Sequence, residues 1–164
     1  MNAKKVIQLH NEAYDLKRNK FPSDFKKSGN FGIMKLNGKT YYAHSAASTK
    51  EDKAFRKFRG DKRKLILLPE QQAFKTKKIG NHDRIVDSEA KLFEYAASIC
   101  NDGKNHELLM LSELPSCASC LGVLEQFQKR YPEVKVQMVS TKEERMKRKY
   151  EANEKEVYRN VWRK

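Results

Sequence analysis

The sequence predicts an α/β domain whose mixed central sheet opens with a β-hairpin, continues through an α-β-α-β unit and carries flanking helices. Three observations support this. Asn37-Gly38 separates two β-rich runs, 31–36 and 39–43; such a pair favours a tight hairpin because both central turn residues take positive φ. Residues 88–138 alternate helical and strand patterns, the mark of a crossover that sets two strands side by side in parallel. The chain has 164 residues, 38% hydrophobic and 34% charged, enough for one domain with a modest core under a heavily ionised surface.

The elements follow in order. Residues 1–30 are polar and lysine-rich, with a helix expected over 4–18 and a break at Phe21-Pro22-Ser23. After the hairpin, 50–64 holds eight basic residues against three acidic. Phe55 and Phe58 would share one helix face there, either docking it on the core or stacking on bases. The apolar run 65–68, closed by Pro69, reads as a strand, and 74–81 as a basic loop. Leu92, Tyr95, Ala96 and Ile99 keep helical spacing and predict a helix over 88–100, ended by Asn101-Asp102-Gly103. The run 106–111 is too short for a helix and reads as a buried strand. A second helix is expected over 117–131, with Val123, Leu124 and Phe127 inward and a stop at Pro132; 134–138 alternates as a strand. The tail 141–164 carries nine basic residues against five acidic. It starts with a helical pattern, and 157–162 is open to being a closing strand.

A net charge of +14 favours polyanionic partners, nucleic acid first and an anionic membrane surface second. No apolar run approaches the roughly 20 residues that span a bilayer. The N-terminal residues lack the apolar centre of a signal peptide, so export would need another route or a longer polypeptide. Three cysteines are too few, and too odd a number, for a disulfide scaffold. Cys100, at the end of an apolar stretch, reads as a buried inert thiol.

The chemistry concentrates in two short segments. Cys117-Ala118-Ser119-Cys120 opens a helix, so both sulfurs fall on one face, and the positive end of the helix dipole favours thiolate. Zinc binding, a redox pair and two unrelated cysteines all fit that spacing. Asp87-Ser88-Glu89 stands thirty residues earlier. Side chains two apart on a helix diverge, so Asp87 and Glu89 converge on one site only if Asp87 lies at or before the helix start.

The run from Arg84 through Asp87-Ser88-Glu89 to Glu94, then Ser112-Glu113-Leu114-Pro115-Ser116-Cys117-Ala118-Ser119-Cys120, then Val123–Phe127 and Tyr131-Pro132, resembles a bacterial polymorphic-toxin deaminase domain of the zinc-dependent nucleic acid/nucleotide (cytidine) deaminase superfamily. The resemblance covers 84–138 and extends to Tyr42-Ala43-His44-Ser45. It implies a three-layer cytidine-deaminase-like fold in a single deaminase domain, 1–164, divided into an N-terminal helical extension (1–30), a core (31–138) and a basic tail (139–164). It implies a zinc cofactor bound by Asp87, Cys117 and Cys120, with Glu89 as the catalytic proton carrier. Substrate contacts would come from His44, Ser45, Ser88 and Pro115. Ser116 separates Pro115 from Cys117 where the superfamily has Pro-Cys. A carboxylate in place of the usual histidine leaves the site at −1 and makes the bound water less acidic, so His82 and His44 stand as alternative third ligands.

The basic charge points to a polymeric substrate, because each neutralised phosphate adds counterion release. Nucleic-acid contacts are expected from Arg56, Lys57, Arg59, Lys62 and Arg63, joined by Lys77 and Lys78. The expectation is conversion of cytosine to uracil, with single-stranded DNA ahead of RNA or duplex DNA, since a target base must leave its stack. A non-catalytic zinc-stapled nucleic-acid-binding module would explain the charge and the cysteines but give Glu89 no task. A free-nucleotide deaminase would show little salt dependence. The family further implies a monomeric effector domain released from a larger secreted protein, acting in a rival cell's cytoplasm and countered by a cognate immunity protein, with no membrane partner.

Overall fold

A computed structural model of the protein describes residues 3–25, 29–74, 78–79, 82–83, 88–112, 118–140 and 161–162. Along these, helix α1 spans Ala3–Lys20, strand β1 Phe31–Leu36, β2 Lys39–His44, helix α2 Lys53–Arg56, β3 Lys78–Ile79 and β4 His82–Asp83. Then come α3 (Ser88–Cys100), β5 (His106–Ser112), α4 (Ala118–Arg130), β6 (Val134–Ser140) and β7 (Val161–Trp162).

The hairpin turns at Asn37 and Gly38 with φ of 52° and 83°, the left-handed pair that matches the twist of the flanking strands. Its register runs from Leu36↔Lys39 to Phe31↔His44. β1 then pairs antiparallel with β5, with Gly32 opposite Ser112. β5 pairs parallel with β6 from His106↔Val134 to Ser112↔Ser140, as the crossover pattern requires, and β7 closes that edge antiparallel to β6. The sheet order is β2-β1-β5-β6-β7.

Alternation along the strands builds two cores and hence three layers. Met34, Leu36, Leu108, Met110, Val136 and Met138 face α3 and α4, which answer with Leu92, Phe93, Ala96, Val123, Leu124 and Phe127. Ile33, Leu111 and Val139 turn the other way, onto Val6 and Leu9 of α1 and onto Phe21, Phe58 and Leu65. Each fully buried aliphatic or aromatic side chain contributes about 1.5–3 kcal/mol, so the residues set apart in sequence as an N-terminal extension form one wall of the core.

Four details differ from the sequence reading. The basic segment 50–64 forms only the four-residue helix α2. Phe58 lies beyond its end, buried with ring centroids 4.6 Å from Phe21 and 5.6 Å from Tyr42; Phe55 stays half-buried with the Lys62 ammonium 5.2 Å from its ring centroid. Core docking therefore won over base stacking at Phe58. The apolar run 65–68 makes one parallel bridge, Leu65 to Tyr42, rather than a strand. The basic loop 74–81 contains β3, which pairs with β4 as a minimal hairpin. α3 is buried on all sides over its first seven residues, because the sheet, α4 and two loops enclose it. The single stripe expected from Leu92, Tyr95, Ala96 and Ile99 understates that enclosure. The helical start expected for the tail lies outside the described residues, as do 157–160; of the closing strand left open near its end, 161–162 form β7.

Cys100 is fully buried at the end of α3, and burial pushes its thiol up to about 11, an inert group as expected. Beyond it Gly103, with φ +72°, turns the chain toward β5. There the His106 ring bridges Asp102 (Nε2 to Oδ1, 2.8 Å) and Asn37 (Nδ1 to Nδ2, 2.6 Å), while Asn37 Oδ1 accepts the Glu107 N–H at 3.1 Å. Because Asn37 presents its NH₂ to the ring, Nδ1 accepts and Nε2 donates to Asp102.

The His106 side chain, followed by the Lys104 backbone N–H, holds the Asp102 carboxyl below the usual carboxylate range. A carboxyl lowered on folding stabilises the protein above the pH where the unfolded group ionises, and loses that contribution as pH falls through its folded value. Thermal melts of wild type and Asp102→Asn should therefore differ most at neutral pH. The gap should narrow below about pH 4; a gap that widens in acid contradicts the assignment.

Candidate active site

The C-terminal end of β5 is where the chemistry gathers. α3 precedes β5 and α4 joins β5 to the parallel β6, so both helices run opposite to the strand and begin at the same end of the sheet. Ser112, the last residue of β5, reaches Glu89 in the first turn of α3. Cys120 stands in the first turn of α4. The positive ends of two helix dipoles thus meet at one sheet end, where they favour an anionic group.

Glu89 is 2% exposed. A buried carboxylate without hydrogen bonds is costly, and this one has donors on one oxygen, Oε1: Ser112 Oγ at 2.5 Å, Asn30 Nδ2 at 2.6 Å and Ser88 Oγ at 2.8 Å. The three come from different elements: the end of β5, the residue before β1 and the first residue of α3. Gly32, opposite Ser112, lets α3 approach the sheet, since a Cβ there would lie 3.1 Å from Ser88 Oγ.

The open end of the hairpin forms the adjoining wall. Ser45 accepts the Asn30 N–H on Oγ and donates its own N–H to the Asn30 carbonyl, both at 2.9 Å. Lys91 is fully buried, and its Nζ donates to the carbonyls of His44 (2.8 Å) and Ala47 (3.0 Å). This ammonium ties the β2 exit to α3. From there the chain passes Asp52, whose carboxylate takes the Thr49 and Ser48 N–H groups at 2.8 Å each and is held below its usual range by them. It then enters the basic segment, so that segment leaves the sheet at the end where Glu89 lies. Arg56, Lys57, Arg59, Lys62 and Arg63 are all exposed. Arg59 Nη2 is tied to the Asn19 carbonyl at 2.9 Å, and Arg63 pairs with Asp61 at 3.2 Å.

Of the residues singled out in sequence, Glu89, Ser88 and Ser45 fall within this one network. Asp87, Pro115, Cys117 and Lys77 lie outside the described residues, and of Cys120, Lys78 and His82 only the backbone is described. Among the described residues no group of three His, Cys, Asp or Glu side chains is arranged to hold a metal.

The solvent-edge placement expected for His44 is corrected by its burial. It is 0% exposed, with its ring 4.9 Å from Phe21 and 6.3 Å from Phe31 by centroids. Nδ1 accepts the Ala46 N–H at 3.0 Å, leaving Nε2 to donate to the Phe25 carbonyl at 3.3 Å. Both nitrogens thus bond backbone groups. Asn30, Ser112 and Lys91 were missed. Lys91 had a signal, a charge set inside Ala90-Lys91-Leu92-Phe93. Asn30 and Ser112 are ordinary polar residues at strand ends, and only the pairing of β1 with β5 brings them together.

A three-layer α/β/α sandwich with this mixed sheet has the architecture of the cytidine-deaminase-like fold. The model of the toxin-deaminase family, described as the BURPS668_1122 family of deaminases, matches residues 14–142, and the chain belongs to that family. The protein is thus a deaminase toxin domain, and its family chemistry is hydrolytic deamination. No curated protein and no solved structure matches the chain. Among the described residues no helix is long and apolar enough to cross a membrane.

Lys91→Met keeps the side-chain length but removes charge-assisted bonds to two carbonyls. Such bonds contribute about 1.5–3 kcal/mol, so chemical denaturation should show a loss of about 2 kcal/mol. Unchanged stability would show that Lys91 does not hold the β2 exit.

Proposed function

We propose that the protein is a zinc-dependent hydrolase that converts cytosine to uracil within nucleic acid, single-stranded DNA above all, as an effector domain delivered to the cytoplasm of a target cell. The observation that carries this reading is the buried Glu89 carboxylate at the sheet end where α3 and α4 both begin. A structural zinc-stapled binding module has no use for such a group.

The residues present suit zinc. Thiolate sulfur and carboxylate oxygen are both zinc ligands, so two cysteines and a carboxylate could hold the ion. Cys120 lies in the first turn of α4, at the sheet end that also holds the start of α3, and Asp87 immediately precedes α3 in sequence. Cys117, Cys120 and Asp87 would hold the metal, which when bound supplies Lewis acidity that makes water nucleophilic at neutral pH. The buried Lys91 ammonium adds positive charge at this sheet end, which supports a carboxylate as third ligand. Glu89 would take the proton of the attacking water and deliver it to the ring nitrogen N3. As the C4–O bond forms N3 gains that proton; Glu89 would then take the second water proton from the C4 hydroxyl and pass it to the amino group, so that the C4–N bond breaks, the C4 carbonyl remains and ammonia leaves.

Substrate choice rests on charge. A formal +14 and the exposed basic segment leaving the sheet beside the site favour a phosphate polymer. Arg56, Lys57 and Lys62 would carry the backbone, with Lys77 and Lys78 on the second basic stretch. A partner that neutralises this toxin would present a complementary acidic face.

Incubating the purified protein with single-stranded DNA, duplex DNA and RNA of mixed sequence, then sequencing the products, tests the reading. C-to-T changes are expected, fastest in single-stranded DNA. Glu89→Gln should abolish them while zinc content and DNA binding persist; activity surviving in Glu89→Gln removes Glu89 as the proton carrier. Equal rates on free cytidine, insensitive to salt, would move the substrate to the monomer.

Replacing Arg56, Lys57 and Lys62 together by Gln should raise KM, with kcat nearly unchanged. The salt dependence of binding should flatten as well, its log–log slope falling by about 0.7 for each phosphate left unneutralised. An unchanged salt slope would move the strand to another face.

A further inference from the structure

The donors on Glu89 do more than satisfy a buried charge. A glutamate carboxylate sits on a terminal torsion that is broad and two-fold, so nothing intrinsic fixes which oxygen faces a reactant. All three donors reach the same oxygen, and two of them are themselves joined. Asn30 Nδ2 lies 2.6 Å from Glu89 Oε1 and 3.1 Å from Ser112 Oγ, and Ser112 Oγ lies 2.5 Å from the same Oε1. A carboxylate only accepts, so the amide must present its NH₂ to it. The amide NH₂ donates to Oε1 with Ser112 Oγ close beside that bond, and the single Ser112 proton goes to Oε1. The longer approach of Ser112 Oγ to Asn30 Oδ1, 3.4 Å, is then left without a proton.

Asn30 is itself fixed. Its N–H and carbonyl are both bound to Ser45. Gly29 before it has φ +72°, and a Cβ there would fall 2.6 Å from His44 Cε1. The Gly29 carbonyl takes the Lys17 ammonium at 3.3 Å. The chain thus uses a left-handed glycine and a two-way backbone pairing to present one side-chain amide to Glu89.

We propose that Asn30 is the positioning residue of the active site: with Ser112 as its relay, it pins Glu89 Oε1 and so sets the orientation of the carboxylate for proton transfer. This rests on the reading of Glu89 as the proton carrier. Losing a group that orients a reacting side chain typically costs about tenfold to a hundredfold in activity, and a loss confined to the chemical step appears in kcat and leaves KM alone.

The test measures kcat, KM, zinc content and melting temperature on single-stranded DNA for wild type, Glu89→Gln, Asn30→Ala, Ser112→Ala and Ser112→Thr. The expected results are about 10- to 100-fold lower kcat for Asn30→Ala, with KM and zinc content held, and a smaller kcat loss for Ser112→Ala that Ser112→Thr restores through its hydroxyl. If Asn30→Ala fails to fold, the Ser112 pair decides: loss in Ala and recovery in Thr supports the relay, and wild-type kcat in Ser112→Ala overturns it. Wild-type kcat in a folded Asn30→Ala, or a loss confined to KM, also overturns the proposal. Full activity in Glu89→Gln would instead remove the parent reading, which separates the two failures.

Discussion

The antiparallel pairing of β1 with β5 is the constraint on which the site depends. It sets Gly32 against Ser112, and so places the residue before β1 and the last residue of β5 over the first turn of α3. Glu89 can be buried there because three neutral donors meet its oxygen, and removing any one leaves a buried charge less satisfied. A one-residue slip in that register would turn Ser112 to the opposite face of the sheet and dissolve the network. Register, helix approach and carboxylate orientation are therefore one structural fact.

The surrounding architecture protects that register from several sides. The Asn37-Gly38 turn fixes the hairpin at one end, and Asn37 also accepts the Glu107 N–H, tying the turn to β5. At the other end Lys91 bonds the carbonyls that follow β2. α1 and the aromatic cluster of Phe21, Phe31, Tyr42 and Phe58 seal the second face. The basic segment is anchored at Phe58 and through Arg59 to the end of α1, so its exposed charges sit on a fixed support instead of a free loop.

Much of the fold was legible because its signals are local. The hairpin needed only Asn-Gly between β-rich runs, and α3 needed only its apolar spacing and the Asn-Asp-Gly stop. The parallel pairing of β5 with β6 followed from chain order. What was illegible depends on tertiary contact. Lys91 looks like a surface lysine until the carbonyls of His44 and Ala47 are placed over it. His44 looks like a strand-end histidine until Phe21, Phe25 and Phe31 close around it. At the candidate site, Glu89 stood out in sequence through its motif, whereas Asn30 and Ser112, separated from it by 59 and 23 residues, carry no pattern in one dimension.

The central claim is that the starts of α3 and α4 form one metal-assisted proton-transfer site with Glu89 beside the metal and not bound to it. The most direct measurement is a zinc-edge anomalous diffraction structure of the purified, metal-loaded protein. The account predicts one zinc held by Cys117, Cys120 and Asp87, with Glu89 still bonded through Oε1 to Asn30 and Ser112. Zinc bound elsewhere, or Glu89 drawn away from Asn30 to become a ligand, would contradict it.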